Sequence, residues 1–175
     1  MLFRSVSTDE ILKAGAEVLP LRSNIEAISR YCYQAIDSEY FKHTLNDRDS
    51  FGGHLVVAGE NYAQGSSREH AAMAPRFLGQ KAVIAKSYAR IGKQNLINYG
   101  IIPFLFADPA AYEQMENRNI LVLEELKDLI QHREEGKIFN DSLSRSFKVR
   151  LELTLYQRKV LLAGGLINYL RNSEE

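Results

Sequence analysis

Two hydroxyls and a guanidinium stand in immediate succession at Ser66-Ser67-Arg68, just after Gly65, and no other residues in this 175-residue chain are better suited to holding an anion. They follow His54-Leu55-Val56-Val57-Ala58, a short apolar run rich in β-branched residues, as a buried strand should be. They precede Glu69 to Leu78, where Ala71, Ala72 and Ala74 give helical composition. The first N–H groups of a helix lack intrahelical partners, so at such a junction they can act with the serines and the arginine fork on a carboxylate or phosphate. The same letters carry a plainer meaning. Ser66 with Glu69 three residues on matches a capping box, in which the serine only satisfies a helix N-terminus. Two adjacent serines allow both uses, one capping while the other faces a ligand.

The elements that must position this junction follow from the pattern on either side. The strand at His54 to Ala58, a helix over Ser67 to Leu78 and a strand at Lys81 to Ala85 predict a right-handed βαβ unit. A helix over Arg90 to Tyr99, stopped by Gly100, leads into an apolar strand at Ile101 to Phe106, where Pro103 indicates an edge or a strand start. Upstream, Asp9 to Gly15 reads as a short helix or turn, Pro20 to Ser23 as a loop, and Asn24 as the N-cap of a helix through Ala35. Phe41 to Gly53 is rich in Asn, Asp, Ser and Gly and reads as a polar connection. Downstream, Asp108 caps a short helix opened by Pro109, and strands are expected at Ile120 to Leu123, Lys137 to Phe139 and Phe147 to Leu153. An amphipathic helix over Tyr156 to Leu170, interrupted by Gly164 and Gly165, closes what reads as one α/β domain over residues 1–175.

Gly59-Glu60-Asn61-Tyr62 and Gly65-Ser66-Ser67-Arg68-Glu69-His70-Ala71-Ala72 together resemble the signature of the swivelling domain of the aconitase superfamily. Three further blocks resemble it in the same order. They are Ser7-Thr8-Asp9-Glu10-Ile11 continuing to Leu19-Pro20-Leu21-Arg22-Ser23-Asn24-Ile25, then Lys86 to Ile91 with Asn95-Leu96, and the ending Ala163-Gly164-Gly165-Leu166-Ile167-Asn168-Tyr169. Arg4-Ser5-Val6 departs from the aspartate and asparagine usual ahead of the first block. The resemblance implies a swivelling β/β/α domain of a hydro-lyase that interconverts citrate and isocitrate through cis-aconitate. It implies Ser66 as catalytic base, and Arg22, Ser67 and Arg68 as binders of the tricarboxylate substrate. A 4Fe-4S cluster, whose iron takes the leaving hydroxyl as a Lewis acid, is expected in a partner domain or large subunit and not in this chain. The small subunit of isopropylmalate dehydratase carries a similar Gly-Ser-Ser-Arg-Glu-His run, so a small subunit acting on isopropylmalate or homoaconitate is the alternative. A non-catalytic anion- or RNA-binding module is a second. His70, Lys86, Arg90 and Asn95 receive no catalytic role.

Composition narrows the classes. With 22 basic and 22 acidic residues the chain has no formal net charge, which argues against strong nonspecific affinity for nucleic acid. The single cysteine, Cys32, excludes an internal disulfide framework and cannot hold an iron–sulfur cluster, which needs several thiolates. No apolar run approaches the roughly 18 residues of a membrane helix, and Met1 to Asp9 lack the apolar core of a signal peptide, so a cytoplasmic location is expected.

Overall fold

A computed structural model describes residues 2–173. Its strands are β1 (Leu2–Ser7), β2 (His54–Gln64), β3 (Gln80–Ala85), β4 (Ile102–Phe106), β5 (Leu121–Val122), β6 (Glu135–Asn140) and β7 (Arg145–Arg150). They form one sheet in the order β1-β2-β3-β4-β7-β6-β5, in which the first four strands pair in parallel and the last three join antiparallel. Pro103 sits where β4 has β3 as a partner but is not yet paired with β7, which begins to pair only at Leu105, so its missing N–H breaks no ladder on that side.

Side chains alternate across the parallel strands and so build a core on each face. Val56 and Ala58 of β2 with Val83 and Ala85 of β3 pack under α1 (Thr8–Ile11), α2 (Ile25–Ser29), α3 (Tyr40–Phe51) and α4 (His70–Phe77). Their neighbours Val57, Ala82 and Ile84 face the other way, into a second core. There they meet Ile138 and Val149 of the antiparallel strands, together with α6 (Leu126–His132) and α7 (Leu155–Leu162). Between the two cores lies α5 (Arg90–Asn98), with Leu96 in the first and Ile97 in the second. The layers are therefore those of the swivelling β/β/α class. Among the described residues no helix is long and apolar enough to cross a membrane.

Several elements differ from their sequence-based bounds. Residues 41–53 are not a connection but most of α3, whose only buried side chains are Tyr40 and Thr44, one turn apart, so it shows almost no apolar period. Gly52 ends it in the left-handed region, as a C-terminal glycine does. Asn24 does cap α2 through the N–H of Ala27, but that helix stops at Ser29 and the chain turns through Tyr33 at a φ of 53°. The closing helix is two, because Gly164 and Gly165 take φ values of 83° and 128° between α7 and α8 (Leu166–Ser173). A Cβ on Gly165 would lie 2.8 Å from the carbonyl oxygen of Asn98, so the break lets backbone approach backbone at the end of α5.

Candidate active site

The serine pair lies at the carboxyl end of β2, which runs well past the expected Ala58. Its last residues twist out of regular extension, with Asn61 at φ 55° and Ala63 at φ 60°. What holds this bend is the segment 86–89. The N–H of Tyr62 donates to the carbonyl of Ser87, the N–H of Ala89 donates to the carbonyl of Tyr62, both at 3.0 Å, and Ser87 Oγ accepts from the N–H of Asn61 at 2.8 Å. Ser87 in turn donates to the Glu60 carboxylate. Beneath the bend the Tyr62 ring is fully buried, its hydroxyl 2.5 Å from that of Tyr33. Gly92 lets α5 press against the same bend, since a Cβ there would fall 2.5 Å from the Cβ of Ala63.

After Gln64 the loop over residues 65–69 turns back, with the Arg68 N–H donating to the Ser66 carbonyl at 2.9 Å. The capping box does not form. Helix α4 starts only at His70, its cap residue Glu69 is itself in helical conformation, and no side chain caps it. Both serines are exposed and neither is used in capping, so the ambiguity of the motif resolves toward hydroxyls that face outward. Capping boxes occur instead at Ser7 with Glu10 and at Thr154 with Gln157.

Arg68 points back across the loop into α1. Its Nη1 donates to the Leu12 carbonyl at 2.7 Å, and its Nη2 donates to Asp9 Oδ1 at 2.7 Å and to Thr8 Oγ1 at 3.3 Å. The guanidinium is mostly covered, at 19% exposure, and its Nε–H is buried without a hydrogen-bond partner. The hydrogen bond from Arg68, then its charge, hold the Asp9 carboxyl below the usual carboxylate range. Arg22 reaches the same region from the other side, at the end of a short 3-10 turn over Leu19–Leu21. Its side chain is exposed and its carbonyl oxygen lies 3.0 Å from Nε2 of His70. The fold thus gathers the segments carrying Ser66, Ser67, Arg68 and Arg22 at the carboxyl ends of β1 and β2.

Behind the loop, Thr8, Tyr62, Arg68, Ala71, Gly92 and Asn95 line a cavity of about 10 Å³, room for one water and not for an organic acid. A larger hollow of about 380 Å³ lies elsewhere, between β5, β6 and α6, and contains none of the motif residues. The small cavity behind the serine loop therefore has no room for a carboxylic acid, and the exposed serines lie on the loop's outer side. Lys86 is turned to Glu113, at 3.0 Å, and sits over the Tyr112 ring. Cys32 is buried, burial pushes its thiol far above the ordinary range, and among the described residues no group of His, Cys, Asp or Glu could hold a metal ion. Among the described residues Cys32 is the one thiol, fewer than the several thiolates that hold an iron–sulfur cluster. Thr8, Asp9 and the Leu12 carbonyl, which fix Arg68, take no site role from the local sequence pattern. They lie 56 to 60 residues from Arg68, beyond the reach of any such pattern.

The fold and this exposed serine-arginine loop define a β/β/α domain built around one surface turn. The model of the aconitase C-terminal domain matches residues 13–109, and the chain belongs to that family. It is 33% identical to the methanogen homoaconitase small subunit of Methanocaldococcus jannaschii, over 82% of this chain and 74% of that one. It is 37% identical to a putative mitochondrial aconitate hydratase of Emericella nidulans over 66% of this chain, but spans only 15% of that protein's length. Among solved structures, 3-isopropylmalate dehydratase of Methanocaldococcus jannaschii superposes with a TM-score of 0.76 at 29% identity, covering 99% of this chain and 93% of that one.

Proposed function

We propose that this chain is the substrate-gripping and proton-abstracting part of an aconitase-type hydro-lyase, completed by a cluster-bearing portion that it docks on. The observation that carries the reading is the loop over residues 65–68, where two uncommitted, exposed serine hydroxyls stand beside a rigidly held arginine. Ser66 is the base that takes a proton from the carbon next to a substrate carboxylate. A serine oxyanion is unstable in water, so its use requires positive charge and N–H groups close by, and Arg68, two residues on in the same loop, is the cation this reading assigns to that task. Arg22, exposed on the neighbouring loop, binds a second carboxylate, and Ser67 hydrogen-bonds the acid. Arg68 acts from its clamp on Asp9 and Leu12, so its role is chiefly a fixed positive charge with its remaining N–H donors. The 4Fe-4S cluster belongs to the partner, and the surface outside the loop becomes an enclosed site only when that partner covers it.

The preferred substrate is a citrate-type tricarboxylate. A second reading, a small subunit acting on homoaconitate or isopropylmalate, is favoured by the match to chains of similar length over most of their extent. Reconstitution of the chain with its cluster-bearing partner, assayed on citrate, homocitrate and isopropylmalate, separates the two. Turnover fastest on citrate supports the first and fastest on isopropylmalate or homocitrate the second. No turnover on any of the three, with a partner that is active beside a homologous small subunit, sinks both.

A further inference from the structure

We infer that His70 is a positioning residue, holding the Arg22 loop at a set distance from Ser66 through the Arg22 carbonyl. The inference rests on the functional reading above and adds to it a residue that touches no substrate. A carbonyl oxygen only accepts, so the contact of 3.0 Å requires Nε2 of His70 to carry the proton. His70 is the first residue of α4 and half-buried, so the ring is anchored by the helix start rather than by a mobile tip.

The geometry around it explains why one hydrogen bond matters. The segment over residues 65–70 fastens two separate stretches of chain. Arg68 holds Thr8, Asp9 and Leu12, while His70 holds Arg22. Within the Arg22 loop the backbone hydrogen bonds are local, among them the Arg22 N–H to the Leu19 carbonyl at 3.3 Å and the Asn24 N–H to the Leu21 carbonyl at 2.8 Å, while Leu21 and Ile25 on either side pack against the core. Those bonds shape the turn but do not set its distance from the serines. The bond to His70 adds a polar tie to that packing, because it crosses 48 residues of sequence to the helix that follows the serine loop and fastens the Arg22 backbone itself. Contacts between α2 and α4 bring the two helices together, and His70 fixes the loop ahead of α2 within that packing.

The test uses two substitutions of similar size, His70→Gln, whose amide can still donate to the carbonyl, and His70→Met, which cannot. In the assembled, citrate-active enzyme, His70→Met is expected to raise KM about tenfold with kcat nearly unchanged, the scale of one lost hydrogen bond, while His70→Gln stays near wild type. On an Arg22→Ala background His70→Met should add little, because the group it positions is gone. In the chain alone, trypsin should cut after Arg22 about tenfold faster in His70→Met than in wild type or His70→Gln, a readout that needs no partner. Equal kinetics for His70→Met and wild type, or a His70→Met effect that adds fully to Arg22→Ala, overturns the positioning role and leaves the functional reading standing. A wild-type KM in Arg22→Ala removes both. Equal loss in the Gln and Met variants that tracks the folded fraction overturns it too, and shows a packing role only.

Discussion

At the scale of single residues, the loop separates groups whose roles a substitution can tell apart. Ser66 neither caps a helix nor is buried, so Ser66→Ala should leave unfolding free energy within about 0.5 kcal/mol of wild type, as an uncommitted surface site does. Turnover of the assembled enzyme should nevertheless fall by roughly 100- to 10,000-fold at little-changed KM, the range for a lost general base. A loss of activity that merely follows a loss of folding would contradict this. The two arginines differ from one another. Arg22→Lys should weaken substrate binding alone, because lysine cannot present the planar fork to a carboxylate. Arg68→Lys should also destabilise the chain, by about 1–3 kcal/mol, since the Leu12 carbonyl and Asp9 are bridged by one guanidinium with a covered side chain. Urea titration of both variants checks the contrast. The serines and arginines are legible from residue type and local spacing. What fixes Arg68 is not, because Asp9 and Leu12 meet it only when β1 and β2 lie side by side.

At the scale of elements, legibility follows how strongly each segment's apolar period is expressed. The strands β3 and β4 are buried along almost their whole length, and their sequence-based bounds hold to within about a residue. Helix α3 buries Tyr40 and Thr44 and presents Asn46, Asp47, Asp49 and Ser50 along the rest, so its letters look like those of a loop. The serine motif imitates a cap and so suggests too early a start for α4, whereas the bend of β2 carries the chain through an extra turn before His70. That bend depends on α5 lying close against it. Gly92→Ala would place a methyl 2.5 Å from the Ala63 Cβ, inside van der Waals contact, and neither group is the end of a flexible side chain. Moving α5 away to relieve it should cost about 1–3 kcal/mol, the usual range for overpacking. The loss should also appear as reduced activity beyond the folded fraction, because the Ala63 bend leads directly into the serine loop. Unchanged stability would mean that α5 is free to move off the sheet.

At the scale of the whole molecule, the layer of helices is fastened to the sheet by a buried polar cluster that no sequence pattern announces. Tyr33 and Tyr40, on the helical side, reach Tyr62 and His54 of β2 and Gln80 at the start of β3. His54 lies 2.6 Å from the Tyr40 hydroxyl through Nε2, while its Nδ1 is buried without a partner. Burial, the largest cause, pushes the His54 pKa down from 6.5 to about 4. The unfolded chain therefore takes up a proton at this ring across the window between those values while the folded chain does not. Stability conferred by the neutral ring is present above pH 6.5 and is lost as the pH falls toward about 4. Between about pH 7.5 and about pH 5 the loss amounts to roughly 2 kcal/mol, because each tenfold change in a protonation ratio is worth about 1.4 kcal/mol. Asp9 and Glu39, exposed carboxyls held low by Arg68 and Lys42, lose their contribution only at lower pH and leave this window to the histidine. His54→Gln keeps an acceptor for the Tyr40 hydroxyl and removes the titration. Urea unfolding of both proteins at the two pH values should show wild type losing about 2 kcal/mol more than the variant, because only wild type carries a ring whose burial forbids the charge that water would allow. Parallel losses in the two would mean that His54 is already protonated in the fold and that its unpartnered nitrogen is satisfied in another way.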